Sequence, residues 1–384
     1  MRVMEQLSLG VIGKSRKPDE HRLPIHPAHL DRIDPRLRSR IVLEAGYGEH
    51  FGYSDERLAR LVGGVSSRTR LIAECDVCVL SKPVAEDLAE FRPGHILWGW
   101  PHCVQDAALT QVAIDRRLTI IAWEGMNHWG ADGRYQRHVF QGNNQLAGYA
   151  SVLHSMTLTG VTGAYGRPLR AVVIGYGATA RGAVRALIAL GVADVTVVAR
   201  PDGSAAAEPI PGAQLVPFEP DPRNPGRAVV PGRGSTTPLV QLLSAYDIVV
   251  NCILQDTDAP LVFVTTGELD RFAPTSLFVD VSCDEGMGFE WARATSFDEP
   301  VRRVGAGISY YAVDHSPSLL WDSATWEISE ALLPYLGTVL SGPEAWQSDE
   351  TIRRAIEIRE GVVQNPKILS FQGRAEPFPH PATG

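Results

Sequence analysis

The 384-residue chain predicts an α/β protein of two Rossmann-like lobes, each with a largely parallel sheet, and a cleft between them. Three observations predict it. Apolar strand-like runs alternate with polar turns and helical patterns, the rhythm of parallel sheets covered by helices. A glycine-rich turn, "VVIGYGATARGA", stands between an apolar strand and an amphipathic helix near mid-chain. The length exceeds a single core, and at about 150 residues per domain two domains account for it.

The strand runs of the first lobe are "LSLGVIG", "RIVLEAG", "DVCVLSK", "HILWGWPH" and "LTIIAWEG". From Asn143, "NNQLAGYASVLHSMTLTG" places Leu146, Tyr149, Ala150, Leu153 and Met156 at helical spacing and stops before Gly160. That helix marks the boundary: residues 1–145 form a substrate lobe and 146–314 a dinucleotide lobe, whose strands are "RAVVIGYG", "DVTVVAR", "DIVVNCIL" and "SLFVDVSCDEG". Residues 201–235 hold eight prolines, so a loop around one short strand, "AQLVPF", is expected there. Residues 315–384 complete the first lobe. Two helical stretches are expected in them, "SATWEISEALLPYLGTVL" with a buried stripe of Ile328, Leu332, Leu336 and Val339, and "DETIRRAIEIREGVV". The Pro- and Gly-rich tail from about Gly373 reads as frayed.

An apolar share of 44%, a charged share of 21% and a mean hydropathy near zero describe an ordinary globular chain. A net charge of -8 argues against nucleic acid as partner, since phosphate binding needs a basic excess. No apolar run has the length of a membrane span or the form of a signal peptide, which places the expected protein in the cytoplasm with small-molecule ligands. The five cysteines are sparse. Cys75 and Cys78 make a lone CxxC whose side chains point to opposite faces of a strand, so no metal site is expected.

In the turn, Gly175, Gly177 and Ala180 keep the GxGxxG/A spacing: the first for the tight bend, the second for close approach of a pyrophosphate, the third for helix packing. Twenty residues beyond Ala180 the next strand ends on Arg200, where an acid would take the ribose hydroxyl of NAD. A guanidinium there suits the extra phosphate of NADP, which is the favoured cofactor. Arg181 in the turn is a second phosphate candidate, and Asp202 keeps NAD open by offering itself to the ribose. Asn251, closing the strand "DIVVN", is a further cofactor candidate on the same sheet edge.

Polar residues also stand where other strands finish, the place where open α/β sheets bind ligands. Arg22 follows the first strand, Lys82 ends "DVCVLSK", His102 ends "HILWGWPH" and Asp284 closes "FVDVSCD". Singly these read as surface cations, a core imidazole and a turn former. Together they suit a 2-oxo acid: two cations for its carboxylate, an imidazole for the reacting oxygen, and an anion for an amine.

The order of "KPDEHRLPIHP", "VLSKP", "WGWPHC", "NNQLAGYA", "VVIGYGATARGA" and "VDVSCDEG" resembles the alanine dehydrogenase and pyridine nucleotide transhydrogenase superfamily over nearly the whole chain. "ILWGWPH", "NNQLAGYASVL" and "SPSLLW" resemble its carboxyethylornithine synthase branch, which is opine-forming. The resemblance implies that Arg22 and Lys82 bind a carboxylate, that His102 is the acid/base facing pyruvate and that Asp284 is the catalytic aspartate. It further implies a homo-oligomer that joins pyruvate, or another 2-oxo acid, to the side-chain amine of ornithine or lysine using NADPH. Two departures from alanine dehydrogenase, Arg200 in place of an acid and "SPSLLWDSATW" in place of that family's loop, favour this branch. The alternatives are an amino-acid dehydrogenase that uses ammonia and a nucleotide sensor without turnover.

Overall fold

The computed structural model describes residues 6–201 and 208–382, so Asp202 lies outside the described residues. The chain divides into two units, Met1–Gln141 with Trp321–Gly384, and Gly142–Leu320.

In the first unit, β1 (Leu9–Val11), β2 (Ile41–Glu44), β3 (Gly64–Ser66), β4 (Val77–Leu80), β5 (Ile96–Gly99) and β6 (Thr119–Ala122) form one sheet with β21 (Ile356–Arg359) and β22 (Val362–Val363). Their order is β22-β21-β6-β5-β4-β1-β2-β3. The first six pair in parallel, and the last two add on antiparallel. Unbroken burial along β4 and β6 fits strands covered on both faces. Strand β3 lacks the apolar run that marks its neighbours, and it escapes the sequence pattern. A hairpin of β7 (Asn127–Trp129) and β8 (Tyr135–His138) follows β6.

The C-terminal part departs from the sequence expectation in two places. "DETIRRAIEIREGVV" is helical only through Ala355; "IEIR" then becomes β21, because Glu360 and Gly361, with φ of 50° and 84°, make a two-residue hairpin turn back into β22. The expected frayed tail is instead fastened: Arg374 bridges Ala382, and the buried His380 accepts a 3.1 Å bond from the Val363 amide. The stripe of Ile328, Leu332, Leu336 and Val339 is buried as expected.

Under β4, His95 is fully buried, and its Nε2 lies 3.0 Å from the Cys75 carbonyl. Burial pulls its pKa down to about 4. An unfolded imidazole titrates near 6.5, so between about pH 6.5 and 4 the unfolded chain binds the extra proton. Stability from this residue is therefore complete above pH 6.5 and is lost as pH falls toward 4. Denaturant unfolding of His95→Leu should show the loss between pH 7 and 5 reduced by about 2 kcal/mol relative to wild type.

The second unit carries β9 (Arg170–Ile174), β10 (Asp194–Ala199), β11 (Gln214–Pro217), β15 (Ile248–Asn251), β17 (Leu277–Asp280), β19 (Val301–Val304) and β20 (Ile308–Tyr311), ordered β11-β10-β9-β15-β17-β20-β19. All pair in parallel except β19. The proline-rich stretch is more regular than expected. After β11, β12 (Glu219–Asp221), β13 (Asn224–Pro231) and β14 (Thr236–Pro238) form a small antiparallel sheet, whose short, edge-rich strands tolerate proline. A further short pair, β16 (Val262–Val264) and β18 (Gly288–Phe289), completes the strands.

Two helices flank β9: α1 (Gln141–Thr159) and α2 (Ala178–Ala189). The buried face of α1 is made mostly of small residues, Gly148, Ala150, Ser151 and Ser155, beside Val152 and Met156, whereas Leu146, Tyr149 and Leu153 are only half-buried. The reason is backbone proximity. A β-carbon on Gly148 would lie 2.0 Å from the Thr179 carbonyl oxygen, and one on Gly182 would lie 1.8 Å from that of Gln145. No described helix is long and apolar enough to cross a membrane.

Candidate active site

In the first sheet β1 pairs with both β2 and β4, so the chain leaves β1 in one direction across the sheet and β4 in the other. This reversal opens a crevice at the strands' C-terminal ends. Arg22 follows β1, Lys82 follows β4 and His102 follows β5, so the topology brings all three expected residues to one sheet edge. Beneath them lies an aromatic floor: Trp100 packs against Trp123 and Phe140 with ring centroids 4.8 and 4.9 Å away, and the Arg22 guanidinium sits 5.3 Å above the Trp100 ring.

Two acids that the sequence reading did not single out join this edge. Glu20 forms a buried fork with Arg22, including Nε to Oε1 at 2.8 Å, which fixes the guanidinium plane. Glu124, from the turn after β6, accepts the His102 backbone N–H at 2.5 Å and stands 3.7 Å from His102 Nδ1. That bond matters because His102 is left-handed, φ 50°, and its own carbonyl accepts from Gln105 and Asp106. A strained non-glycine backbone held by three bonds aims the imidazole, which remains 42% exposed. Burial around its Oε2 and the charge of Glu357 push the Glu124 carboxyl up to about 8, opposed by the backbone N–H groups it accepts from, His102 among them, and by Lys82.

In the second sheet the corresponding reversal falls between β9 and β15. Gly175 adopts φ 119°, which only glycine holds without strain, and a β-carbon there would come within 3.2 Å of the Cys252 carbonyl. Gly177 is the N-cap of α2, and a β-carbon on it would meet nothing within 4 Å. The first-turn amides of α2 thus open onto space an anion can enter, a cradle that fits a dinucleotide pyrophosphate. Ala180 is buried beneath it. Arg181 donates to the Glu208 carbonyl and lies 5.3 Å over the Tyr176 ring, while Arg200 is exposed directly after β10.

The Asn251 side chain is fully buried and donates to Asp280 Oδ1 at 3.0 Å. Asp280 also accepts from Cys283 N at 3.1 Å and from the Tyr310 hydroxyl at 2.8 Å. Burial pushes Asp280 up to about 6 against these three donors. The network holds Cys283 in a left-handed conformation, φ 47°, and so sets the direction of the next residue, Asp284. Asn251 therefore braces the Asp284 turn, a role that a cofactor contact alone does not describe. In the sequence the signal for this brace is the first aspartate of "FVDVSCD", Asp280, which closes its strand as Asn251 closes the neighbouring one.

Models described as Alanine dehydrogenase/PNT match the chain in both halves, the N-terminal domain over residues 11–135 and the C-terminal domain over residues 143–366. The chain is 26% identical to an alanine dehydrogenase of Halomonas elongata across 96% of each chain. It is 24% identical to an N(5)-(carboxyethyl)ornithine synthase of Clostridium botulinum, across 82% of this chain and 89% of that one. A solved L-alanine dehydrogenase shares the fold with a TM-score of 0.72 at 18% identity, covering 95% of this chain and 99% of that one. The chain belongs to the alanine dehydrogenase/PNT family of NAD(P)-dependent oxidoreductases.

Proposed function

We propose that the protein condenses pyruvate, or a related 2-oxo acid, with the side-chain amine of an amino acid such as ornithine or lysine, and reduces the product with NADPH to an N-(carboxyethyl) amino acid. The observation that carries the reading is the gathering of Arg22, Lys82 and a backbone-strained His102 at one sheet edge. In this reading Arg22 and Lys82 hold the keto-acid carboxylate, and the fork with Glu20 keeps the guanidinium from turning away. The neutral amine attacks the keto carbon. Imidazolium His102 gives its proton to the departing oxygen, water leaves, and an iminium remains. Asp284 receives the amine and orients it. When bound, the nicotinamide supplies the hydride that converts the iminium to the secondary amine. Gly175, Gly177 and the α2 N-terminus hold the pyrophosphate, and Arg200 and Arg181 face the adenosine phosphate.

Initial rates of NADPH and NADH oxidation, with pyruvate constant and ammonia, ornithine, lysine and arginine in turn, test this. Turnover with a diamino acid and NADPH, giving a product heavier than the amine by the reduced pyruvate unit, is the expected result. The longer match to the Halomonas elongata enzyme favours one second reading, an amino-acid dehydrogenase, and turnover with ammonia alone would establish it. Within the same assay Arg200→Asp should lower the NADPH-to-NADH ratio of kcat/KM by about 10- to 100-fold, the worth of one charge-assisted phosphate bond. An unchanged ratio would remove Arg200 from the cofactor site.

A further inference from the structure

The two cation-bearing turns leave neighbouring strands, Arg22 after β1 and Lys82 after β4, and β1 pairs directly with β4. A relay of hydrogen bonds joins the turns. The Ser15 hydroxyl donates to the Lys82 carbonyl, and its oxygen accepts the Lys17 N–H at 3.0 Å. The Lys17 carbonyl accepts the Glu20 N–H at 3.4 Å, and Glu20 forks onto the Arg22 guanidinium. Beside the relay lies Asp87, fully buried in the short helix Ala85–Leu88. Its carboxylate accepts from both turns: from Val84 N at 3.0 Å on the Lys82 side, and from Arg16 N at 3.2 Å on the Arg22 side, where Ser15 Oγ stands 3.4 Å away. Arg68, which opens the helix Arg68–Glu74, donates to Asp87 at 2.6 Å, to Glu90 at 2.7 Å and to the Lys14 carbonyl at 2.7 Å. Capping the short helix needs only the Val84 bond; the other contacts of Asp87 run to the β1 turn or to Arg68.

We propose that Ser15 and Asp87 are positioning residues that fix the spacing between the Arg22 and Lys82 turns, so that the two cations act as one carboxylate clamp of set width. The proposal rests on the reading of those cations as the partners of the keto-acid carboxylate. Two long cationic side chains hold a small anion well only when their roots are already in place, because ordering them at each binding event weakens the complex. Asp87 supplies the anchor: a buried carboxylate that collects backbone and guanidinium donors makes charge-assisted bonds, stronger than neutral ones. Ser15 carries the anchor across to both turns. Removing its hydroxyl leaves Asp87 with Arg68, Val84 and Arg16, so the fold keeps that junction while the direct tie from Lys82 to the Arg22 turn is cut. Threonine at the same position restores the hydroxyl.

The test pairs amide hydrogen exchange of the full chain with calorimetric titration of pyruvate into enzyme saturated with NADPH or NADH, whichever the rates above select, and without amine. In Ser15→Ala, segments 13–22 and 81–90 should exchange faster together, by about 10-fold, while the rest of the chain keeps its protection. Pyruvate should bind that variant about 5- to 20-fold more weakly, the partial loss of one charge-assisted contact. Ser15→Thr should return both readouts close to wild type. Asp87→Asn, which takes the buried counter-charge from Arg68, should show the same two effects more strongly; a lowered denaturation midpoint with pyruvate affinity intact would reduce Asp87 to a structural residue and overturn its role. Unchanged exchange of the two segments in Ser15→Ala overturns the proposal. So does wild-type pyruvate affinity in Ser15→Ala when Arg22→Met and Lys82→Met abolish binding. Pyruvate affinity that is absent in wild type, or that ignores Arg22→Met and Lys82→Met, defeats the carboxylate reading instead, and joint exchange of the two segments would then leave their spacing as assigned.

Discussion

His102→Asn is expected to lower kcat by about 10²- to 10⁴-fold, the usual contribution of a positioned acid/base. Asparagine is the informative replacement because it tolerates the left-handed backbone that His102 adopts, so the turn after β5 and its bond to Glu124 should survive. The keto-acid KM should change far less than kcat, since Arg22 and Lys82, the proposed carboxylate cations, stay in place. Steady-state kinetics beside a denaturation curve checks this. Turnover unchanged in a folded variant would remove the imidazole from the chemistry.

Gly182→Val should cost the second unit about 3 kcal/mol or more, enough to abolish a soluble product. The first atom added would lie 1.8 Å from the Gln145 carbonyl oxygen, and a backbone atom cannot rotate aside. Helix α1 must then part from α2, uncovering the sheet beneath. Gly177→Ala is the control five residues away: its methyl enters open space, so stability should hold while NADPH affinity drops. Denaturant midpoints for both variants, with cofactor titration of the second, distinguish packing from binding. Equal stability of wild type and Gly182→Val would show that the helices do not meet as described.

The α/β class was legible because the apolar runs of β1, β2, β4, β5 and β6 are separated by turns at regular intervals, and the same holds for β9, β10, β15 and β17. The crossing of α1 and α2 was not, because a contact made by absent side chains leaves no apolar periodicity; Gly148 and Gly182 are the only trace. Strand β21 was read as helix since "IEIR" continues a helical pattern, and only the Glu-Gly turn that follows betrays it. At the site, Arg22, Lys82 and His102 were visible as polar residues at strand ends. Glu20, Glu124 and Asp280 were not, because a supporting carboxylate is recognised by what it touches, and those partners lie up to 30 residues away in the chain.

Strand β21 enters the first sheet beside β6, although 233 residues, the difference between 356 and 123, separate the end of one from the start of the other. The second unit is one continuous stretch and can close its core as soon as it leaves the ribosome, at about 5–20 residues per second. The first unit must wait, its β6 edge unpaired, until that intervening domain has emerged. The polypeptide thus closes its second unit before the sheet that carries His102 gains its last strands, and the first unit is the last to mature during synthesis.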